Sequence, residues 1–206
     1  MADNKMTKGA FTILKVAESV FSKQGYKATA ISDIAKAVGG SKANIYHHFK
    51  SKQDLYQKAL QMACETTFNI MDPSVIDKTL SAKLRLKTYI ALHLQSLLEN
   101  PSSTNLIKRE LMDNNQFEGK LVAQEIFTQA FRQFEALVIE ARGLRKTVTH
   151  VSASMQAYSL IAANIFFFDS RLAMSYLPGF SELAESPEYF SEQLYEIIMN
   201  KTAEQG

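Results

Sequence analysis

The feature that most constrains this fold is a pair of short helical segments separated by only three residues. Apolar residues recur at three- and four-residue spacing along residues 31–38, which is the period of a helix with one buried face. The separator is Gly39-Gly40-Ser41, and the second segment begins at Lys42. Gly39 suits the left-handed end of one helix, and Ser41 suits the N-cap of the next. Two helices joined by so short a turn predict a helix-turn-helix.

The rest of the chain has the same helical period, and strand-like alternation is scarce. Only four prolines occur in 206 residues, and three of them lie where helices are expected to start or stop. The sequence therefore predicts an all-α protein. The expected helices span about residues 7–24, 31–38, 42–48, 52–71, 75–99, 103–113, 119–142, 149–176 and 187–203.

Charge is distributed unevenly along the chain. Residues 1–52 carry nine lysines and three acidic residues, a net charge of +6, whereas the remainder has a net charge of −4. A basic module on an acidic body indicates a polyanionic partner, although a solvated lysine-rich surface would have the same charge. We expect two domains: a three-helix head with the helix-turn-helix at residues 1–52, and a larger helical domain at residues 53–206.

The second helix of the predicted motif has an inward and an outward face. Ile45 and Phe49 lie about 40° apart on a helical wheel, so they share the face that packs inward. The outward face and its flanks carry Lys42, Ala43, Asn44, Tyr46, His47 and Lys52. A small residue allows close approach to a DNA groove, an amide can read base edges, and flanking groups can hold phosphates. This layout is typical of a recognition helix.

Three motifs lie in register across this region: F-x-x-x-G-Y from Phe21, I-A-x-x-x-G from Ile34, and S-K-x-x-x-Y-x-H-F-x-x-K from Ser41. With them, residues 10–56 resemble the DNA-binding domain of the TetR (tetracycline repressor) family of bacterial transcription regulators. The resemblance implies a homodimer whose heads enter successive major grooves of a palindromic operator in double-stranded DNA. It also implies a C-terminal domain that binds a small molecule and then releases the DNA.

The resemblance also implies which residues contact DNA. Those expected at bases are Lys42, Ala43 and Asn44, and those expected at phosphates are Thr29, Tyr46, His47 and Lys52. Two positions depart from the family pattern. Ala30 stands where the family usually has a capping Ser or Thr, which leaves Thr29 as a shifted cap, and Gly40 replaces an apolar turn residue. Since a lost cap costs about 1 kcal/mol, we expect a looser head than is usual.

The C-terminal domain holds most of the phenylalanine and methionine, and such residues fill the core of any helical bundle. Polar residues inside its apolar patterns are more informative, because a buried polar group needs a partner. That partner can be a ligand, another helix or a bound water. The residues expected to contact a small apolar or amphipathic effector are Tyr89, His93, Gln124, Phe127, Phe131, Asn164 and Phe168.

The last two long helices, at residues 149–176 and 187–203, are richer in apolar and small residues than one bundle face requires. We therefore expect them to form a four-helix homodimer interface with the same helices of a second copy. The residues that motivate this expectation are Ala153, Ala157, Leu160, Ile161, Phe190, Leu194 and Ile198.

The sequence has none of the short motifs that mark hydrolases, metalloproteases or nucleotide-binding enzymes, so no enzymatic activity and no cofactor are expected. No metal site is expected at His47 and His48, because adjacent helical residues point about 100° apart. The single cysteine, Cys64, cannot form an internal disulfide, which indicates the reducing cytoplasm. The apolar run at residues 159–168 is too short to cross a membrane.

Two functions remain open at this point. The first is a DNA-binding transcription regulator, expected to be a repressor that an effector releases from its operator. The alternative is a helical small-molecule binder or enzyme whose basic head docks on a protein or a membrane. The combination of Lys42, Asn44 and Tyr46 on an outward helix face favours the regulator, since a docking head has no need of a base-reading face.

Overall fold

The structure is a computed structural model that describes residues 6–68, 76–112, 127–143 and 151–200. Within these ranges every regular element is a helix, which confirms the all-α prediction. None of these helices is long and apolar enough to span a bilayer. The helices are α1 (Lys8–Ala28), α2 (Ile31–Val38), α3 (Lys42–His48), α4 (Lys52–Phe68), α5 (Ala82–Glu99), α6 (Pro101–Met112), α7 (Thr128–Arg142), α8 (Ala153–Met174), α9 (Ser181–Glu185) and α10 (Pro187–Asn200).

These helices pack as two units, each with its own core. The first, which we name the head unit, contains α1–α4 up to Thr66 and also α6. The second, the body unit, contains α5 and α7–α10. The chain therefore leaves the head unit near the end of α4 and returns to it at Asn100. The boundary expected at residue 52 concerns domains of different function and stays a prediction.

Helix α1 supplies the core of the head unit. It begins at Thr7, whose hydroxyl accepts a hydrogen bond from the Ala10 N–H at 3.2 Å, as an N-cap should. The helical conformation breaks at Gly25, where φ is 79°, and resumes up to Ala28. Glycine adopts this left-handed φ without strain, so the end expected near residue 24 corresponds to the break. The buried apolar residues of α1 are Ala10, Ile13, Leu14, Ala17 and Phe21.

Helix α6 completes the head unit, although it comes much later in the sequence. Arg109 donates hydrogen bonds to the backbone carbonyls of Ser22 at 2.7 Å and Lys23 at 2.8 Å. These carbonyls belong to the last turn of α1 before the break at Gly25. Helix ends leave carbonyls without internal partners, and a cationic side chain satisfies them well.

Two buried carboxylates also join α6 to the rest of the head unit. Glu18 on α1 accepts a hydrogen bond from the Ser103 hydroxyl. Glu110 on α6 accepts one from the Tyr56 hydroxyl of α4 at 2.7 Å. Both carboxylates are more than 90% buried, where a charge is costly unless it is hydrogen-bonded. These pairs therefore hold α6 in one position against α1 and α4.

The body unit is built around α5, which packs against α7, α8 and α10. Helix α5 begins at Ala82, so the start expected near residue 75 is wrong. Asp77 Oδ1 accepts hydrogen bonds from both the backbone N–H and the hydroxyl of Thr79, which favours a turn over a helix. The short helix α9 was not expected. Of the helix expected at residues 119–142, the part before residue 127 lies outside the described residues.

Helix α8 has an inward and an outward apolar face. The residues that motivated the dimer interface belong to the inward face or to its neighbours: Ala157, Leu160 and Leu194 are buried, and the other four pack against the body core. A single chain thus buries three of these residues and partly buries the other four, and the interface itself stays a prediction. The outward face instead exposes Met155, Tyr158, Phe166, Leu172 and, just beyond the helix, Tyr176.

Candidate functional site

The turn between α2 and α3 has the geometry that its sequence predicts. Gly39 is left-handed with φ 74°, and its N–H donates to the Lys36 carbonyl at 3.1 Å. The Gly40 N–H donates to the Ala35 carbonyl at 2.9 Å, which completes the glycine cap of α2. The Ser41 hydroxyl then accepts from the backbone N–H of Asn44 at 3.2 Å and caps α3. The helix-turn-helix is therefore confirmed at atomic detail.

The predicted faces of α3 are also confirmed. Ile45 and Phe49 are 1% and 2% exposed and anchor the helix in the head unit. The opposite face carries the residues expected at DNA, and all of these on α3 are exposed: Lys42, Ala43, Asn44, Tyr46 and His47. A small residue and an amide thus stand on a convex helix surface that a groove can receive.

Helix α4 starts with a variant of the predicted capping box. The Ser51 hydroxyl accepts from the Asp54 N–H at 3.0 Å, as predicted. The Asp54 carboxylate reaches back to the N–H of Lys50, one residue further than in the usual box, at 2.8 Å. Lys52 lies in the first turn, and its ammonium is 4.3 Å from the centre of the Tyr26 ring. This cation–π contact holds the charge against the last turn of α1.

Thr29 is the one predicted phosphate contact that the structure buries. Its side-chain hydroxyl donates to the Gly25 carbonyl at 2.7 Å, so a phosphate contact through that hydrogen requires this bond to break. Thr29 is not the shifted cap of α2, because the N-cap is Ala30, which has no side-chain acceptor. The Ala30 N–H instead donates to the Asp33 carboxylate at 3.0 Å. DNA contact by all seven residues stays a prediction.

His48 lies between the two faces of α3 and is half-buried. Its ring meets the ring of Phe49 edge to face at 6.4 Å, which is the packing role that its wheel position suggests. Among the residues that the structure describes, no three His, Cys, Asp or Glu side chains come together as metal ligands would.

In the body unit, three of the predicted effector residues meet in the core, and we name Tyr89, His93 and Asn164 the buried polar triad. The rings of Tyr89 and His93, one turn apart on α5, stack with centroids 5.9 Å apart. The side-chain nitrogen of Asn164 donates to the Ile90 carbonyl at 3.0 Å and lies 3.0 Å from His93 Nδ1. All three residues are about 1% exposed.

The hydrogen bonds determine the chemical state of the triad. The Ile90 carbonyl can only accept, so the Asn164 NH₂ group must face it. The same NH₂ group then donates to His93 Nδ1, which assigns the ring proton to Nε2. Burial lowers the pKa of His93 to about 4, so the ring is neutral at physiological pH. The triad therefore carries no charge.

Tyr89 and Asn164 each keep one polar atom without a hydrogen-bond partner. The Tyr89 hydroxyl and the Asn164 side-chain oxygen are both buried and unpaired. Burial also raises the pKa of Tyr89, so its hydroxyl is protonated and is available as a donor. Buried polar atoms in this state are rare and call for a physical explanation.

The other predicted effector residues have different environments in the structure. Phe131 packs against the body core, and Phe127 and Phe168 are half-buried. Gln124 lies outside the described residues. The sequence interpretation missed Phe134, which is buried with its ring centroid 4.4 Å from that of Tyr89. Its spacing with Val138 and Ala141 on one helix face was the signal that could have found it.

A capped helix-turn-helix that exposes a small residue and an amide on its second helix is typical of the helix-turn-helix class of DNA-binding proteins. Residues 13–59 match the family model for bacterial regulatory proteins of the tetR family. This part of the chain is therefore similar to the DNA-binding domain of tetR-family regulators.

Curated relatives match the same region. The biofilm operon icaADBC HTH-type negative transcriptional regulator IcaR of Staphylococcus aureus is 37% identical over 59 residues, which are 29% of this chain and 32% of IcaR. The HTH-type transcriptional regulator QacR of Staphylococcus aureus is 44% identical over 50 residues, 24% of this chain and 27% of QacR. The match thus spans about a third or less of the length of these relatives, and they are regulators, not enzymes.

Solved structures extend the likeness in fold to nearly the whole chain. The fatty acid degradation regulator FadR from Bacillus halodurans is 15% identical with a TM-score of 0.76, over 98% of this chain and all of that one. FadR from Bacillus subtilis, in complex with stearoyl-CoA, is 17% identical with a TM-score of 0.72, over 92% and 97% of the two chains. At such identities the likeness establishes the fold.

Proposed function

We propose that this protein is a cytoplasmic transcription regulator that binds a palindromic operator as a homodimer and is released from it by a small effector. The observation that carries the proposal is the exposed face of α3, where Ala43 and Asn44 stand beside Lys42 in the first turn. In this arrangement the helix enters the major groove and its first turn meets base edges. Tyr46, His47, Lys52 and Thr29 hold the flanking phosphates.

Repression is the direction of control that the relatives support. IcaR, which shares the head, is named a negative transcriptional regulator. A dimer that occupies a promoter blocks access to it, and an effector that lowers operator affinity restores access. For a thousandfold release the effector must favour the DNA-incompetent state by about 4 kcal/mol.

The homodimer forms through the outward face of α8 together with α10. Met155, Tyr158, Phe166 and Tyr176 recur at three-, four- and seven-residue multiples and lie exposed on one side of α8. An apolar stripe of this length on a surface is typical of a protein interface. In sedimentation experiments the wild type should be a dimer at micromolar concentration and Phe166→Glu a monomer, whereas Leu84→Glu, at an exposed apolar residue on α5, should stay dimeric. A monomeric wild type contradicts the proposal.

The effector acts by changing the separation of the two heads. Two recognition helices fit successive major grooves only when their centres are about 34–36 Å apart. Helix α4 leads out of the head unit, so it is the expected lever. FadR from Bacillus subtilis was solved in complex with stearoyl-CoA, which supports an apolar or amphipathic effector for this chain as well.

The experiment that tests DNA recognition begins with selection of bound sites from random duplex DNA and then compares two variants. Lys52→Ala removes two phosphate contacts per dimer, so it should weaken all sequences alike and lower the slope of log affinity against log salt by about 1.8. Asn44→Ala should lose about 1–3 kcal/mol of discrimination at particular operator positions, with little change in the salt slope.

Both variants are measured against the operator and its single-base variants over a salt series. A uniform loss for Asn44→Ala would show that Asn44 holds a phosphate and that Lys42 is the base reader. An unchanged slope for Lys52→Ala would remove its phosphate role. If no sequence is enriched from the random pool, the proposed regulator function itself is wrong.

A further inference from the structure

Two residues of the buried polar triad, Tyr89 and Asn164, keep a hydrogen-bond donor and an acceptor, respectively, unused inside an apolar core. The donor is the Tyr89 hydroxyl and the acceptor is the Asn164 side-chain oxygen. Both belong to the body unit, and both residues contact the His93 ring, Tyr89 by stacking and Asn164 at Nδ1. Each unpaired buried atom lowers the free energy of unfolding, so a chain selected for stability alone would avoid the pair.

Neither atom is needed for the packing of the core. A phenylalanine in place of Tyr89 would fill the same ring position against Phe134. Asn164 is held by its NH₂ group, which bonds the Ile90 carbonyl and His93 Nδ1, so its oxygen cannot turn away to another partner without breaking both bonds. The donor and the acceptor are therefore kept open by the contacts of their neighbours.

The charges around the triad indicate what can occupy it. On α5, Arg85 lies one turn before Tyr89 and Lys87 lies two residues before it. Both are paired with carboxylates, Arg85 with Glu140 and Lys87 with Glu196. The triad itself is neutral, since the low pKa of His93 keeps its ring uncharged. A carboxylate placed here would lose its hydration beside an Arg85 guanidinium whose charge Glu140 already balances, which is unfavourable.

We propose that Tyr89 and Asn164 bind the uncharged polar group of an otherwise apolar effector, namely an alcohol or a carboxamide. Such a group has the acceptor that the Tyr89 hydroxyl lacks and the donor that the Asn164 oxygen lacks. The apolar remainder of the ligand lies against core residues of the body unit, among them Phe134. This assignment rests on the proposed function, because it names the chemistry of the effector that function requires.

A matched pair of probes tests the assignment on the full-length protein by titration calorimetry. 1-Decanol donates and accepts, whereas methyl nonyl ether has the same number of heavy atoms but can only accept. The alcohol should bind about tenfold more tightly, since one buried hydrogen bond corresponds to about that factor. Alcohols and ethers from six to fourteen carbons are compared in the same way. Decanoate, which is charged at pH 7.5, should bind more weakly than decanol by at least about tenfold.

Tyr89→Phe separates the two hydrogen bonds. It removes the donor that both probes use, so it should weaken the alcohol and the ether alike, by about five- to tenfold, and leave the ratio between them unchanged. Tyr195→Phe is the control, because Tyr195 is another buried tyrosine of the body core. That variant should bind both probes as the wild type does.

Equal binding of alcohol and ether to the wild type overturns the proposal, and so does the absence of binding by every member of the series. The proposal is also wrong if Tyr89→Phe binds both probes with wild-type affinity, or if Tyr195→Phe loses as much affinity as Tyr89→Phe does. In either case the two open atoms bind an ordered water only. Operator affinity is measured in parallel with each probe. If the alcohols bind as expected but the protein binds no operator, the proposed function fails while the ligand chemistry stands.

Discussion

The head unit and the body unit treat buried polar groups in opposite ways. In the head unit, Glu18 and Glu110 are buried carboxylates, and each accepts a hydrogen bond from a hydroxyl on another helix. In the body unit, Tyr89 and Asn164 are buried and keep a donor and an acceptor open. Among the described residues, no buried side-chain nitrogen or oxygen of the head unit is left open in this way.

The difference agrees with the roles proposed above for the two units, DNA recognition for the head unit and ligand binding for the body unit. A head that reads DNA must hold α3 in one orientation, and closed polar pairs between helices specify one arrangement. A unit that binds a ligand must offer groups that the ligand satisfies, at a cost in the stability of the empty form. Stability is thus expected to respond differently to substitution in the two units.

The largest expected effect is the response of the body unit to acid. Burial lowers the pKa of His93 to about 4, whereas an unfolded chain has a histidine pKa of about 6.5. The unfolded state therefore takes up a proton first as pH falls. The stability contribution is complete above pH 6.5 and is lost between about pH 6.5 and 4, by about 3 kcal/mol in total. Urea unfolding followed by circular dichroism over this range measures the loss.

His93→Gln should remove this part of the pH dependence. His47→Gln, on the exposed face of α3, controls for the substitution itself. If the free energy of unfolding of the wild type and of His93→Gln falls equally between pH 6.5 and 4.5, the neutral His93 ring does not cause the acid sensitivity of the body unit.

The second effect compares the same chemical change in both units. Tyr56→Phe removes the donor to the buried carboxylate of Glu110, and a hydrogen bond to a charged group is worth about 1.5–3 kcal/mol. Tyr89→Phe removes a hydroxyl that has no partner, so the ligand-free protein should keep its stability or gain up to about 1 kcal/mol. Chemical denaturation of the two variants and the wild type measures both changes in the free energy of unfolding. Equal losses in the two variants would contradict the expected difference between the units.

The smallest effect concerns the one place where the head unit lacks a side-chain cap. Ala30 is the exposed N-cap of α2, with the extended backbone that a capping serine adopts. Ala30→Ser should raise the free energy of unfolding of the head unit by about 1 kcal/mol in thermal denaturation, because the new hydroxyl accepts from an N–H of the first turn. Ala43→Ser, inside the exposed face of α3, should give no such gain. A destabilised Ala30→Ser variant would mean that the alanine is required there.

Local pattern was sufficient to predict most of the head. Ile45 and Phe49 are inward because a helix period places them together, and Gly39 and Ser41 cap the helices on either side of the turn. Each of these features depends on residues within five positions of one another. The exposed recognition face follows from the same local geometry.

What could not be predicted depends on residues far apart in the sequence. Arg109 meets the carbonyl of Ser22 across 87 positions, and no local period indicates that α6 belongs to the head unit. The sequence placed His93 and Asn164 in apolar patterns but could not pair them, since 71 positions separate them. Leu160 was assigned to an interface because apolar spacing does not distinguish the core of one chain from a surface between two.

The place of α6 in the head unit also matters for the order in which the protein is made. Residues 1–66 emerge from the ribosome first, but the hydroxyl that donates to Glu18 and the guanidinium that donates to the Ser22 carbonyl are on α6. At a synthesis rate of about 5–20 residues per second, these partners are synthesised roughly 2–9 s after residue 66. Its buried carboxylate and its broken helix stay uncovered during that time. A chimera that contains only the first 66 residues would lack these partners altogether, so a functional graft must include α6 as well.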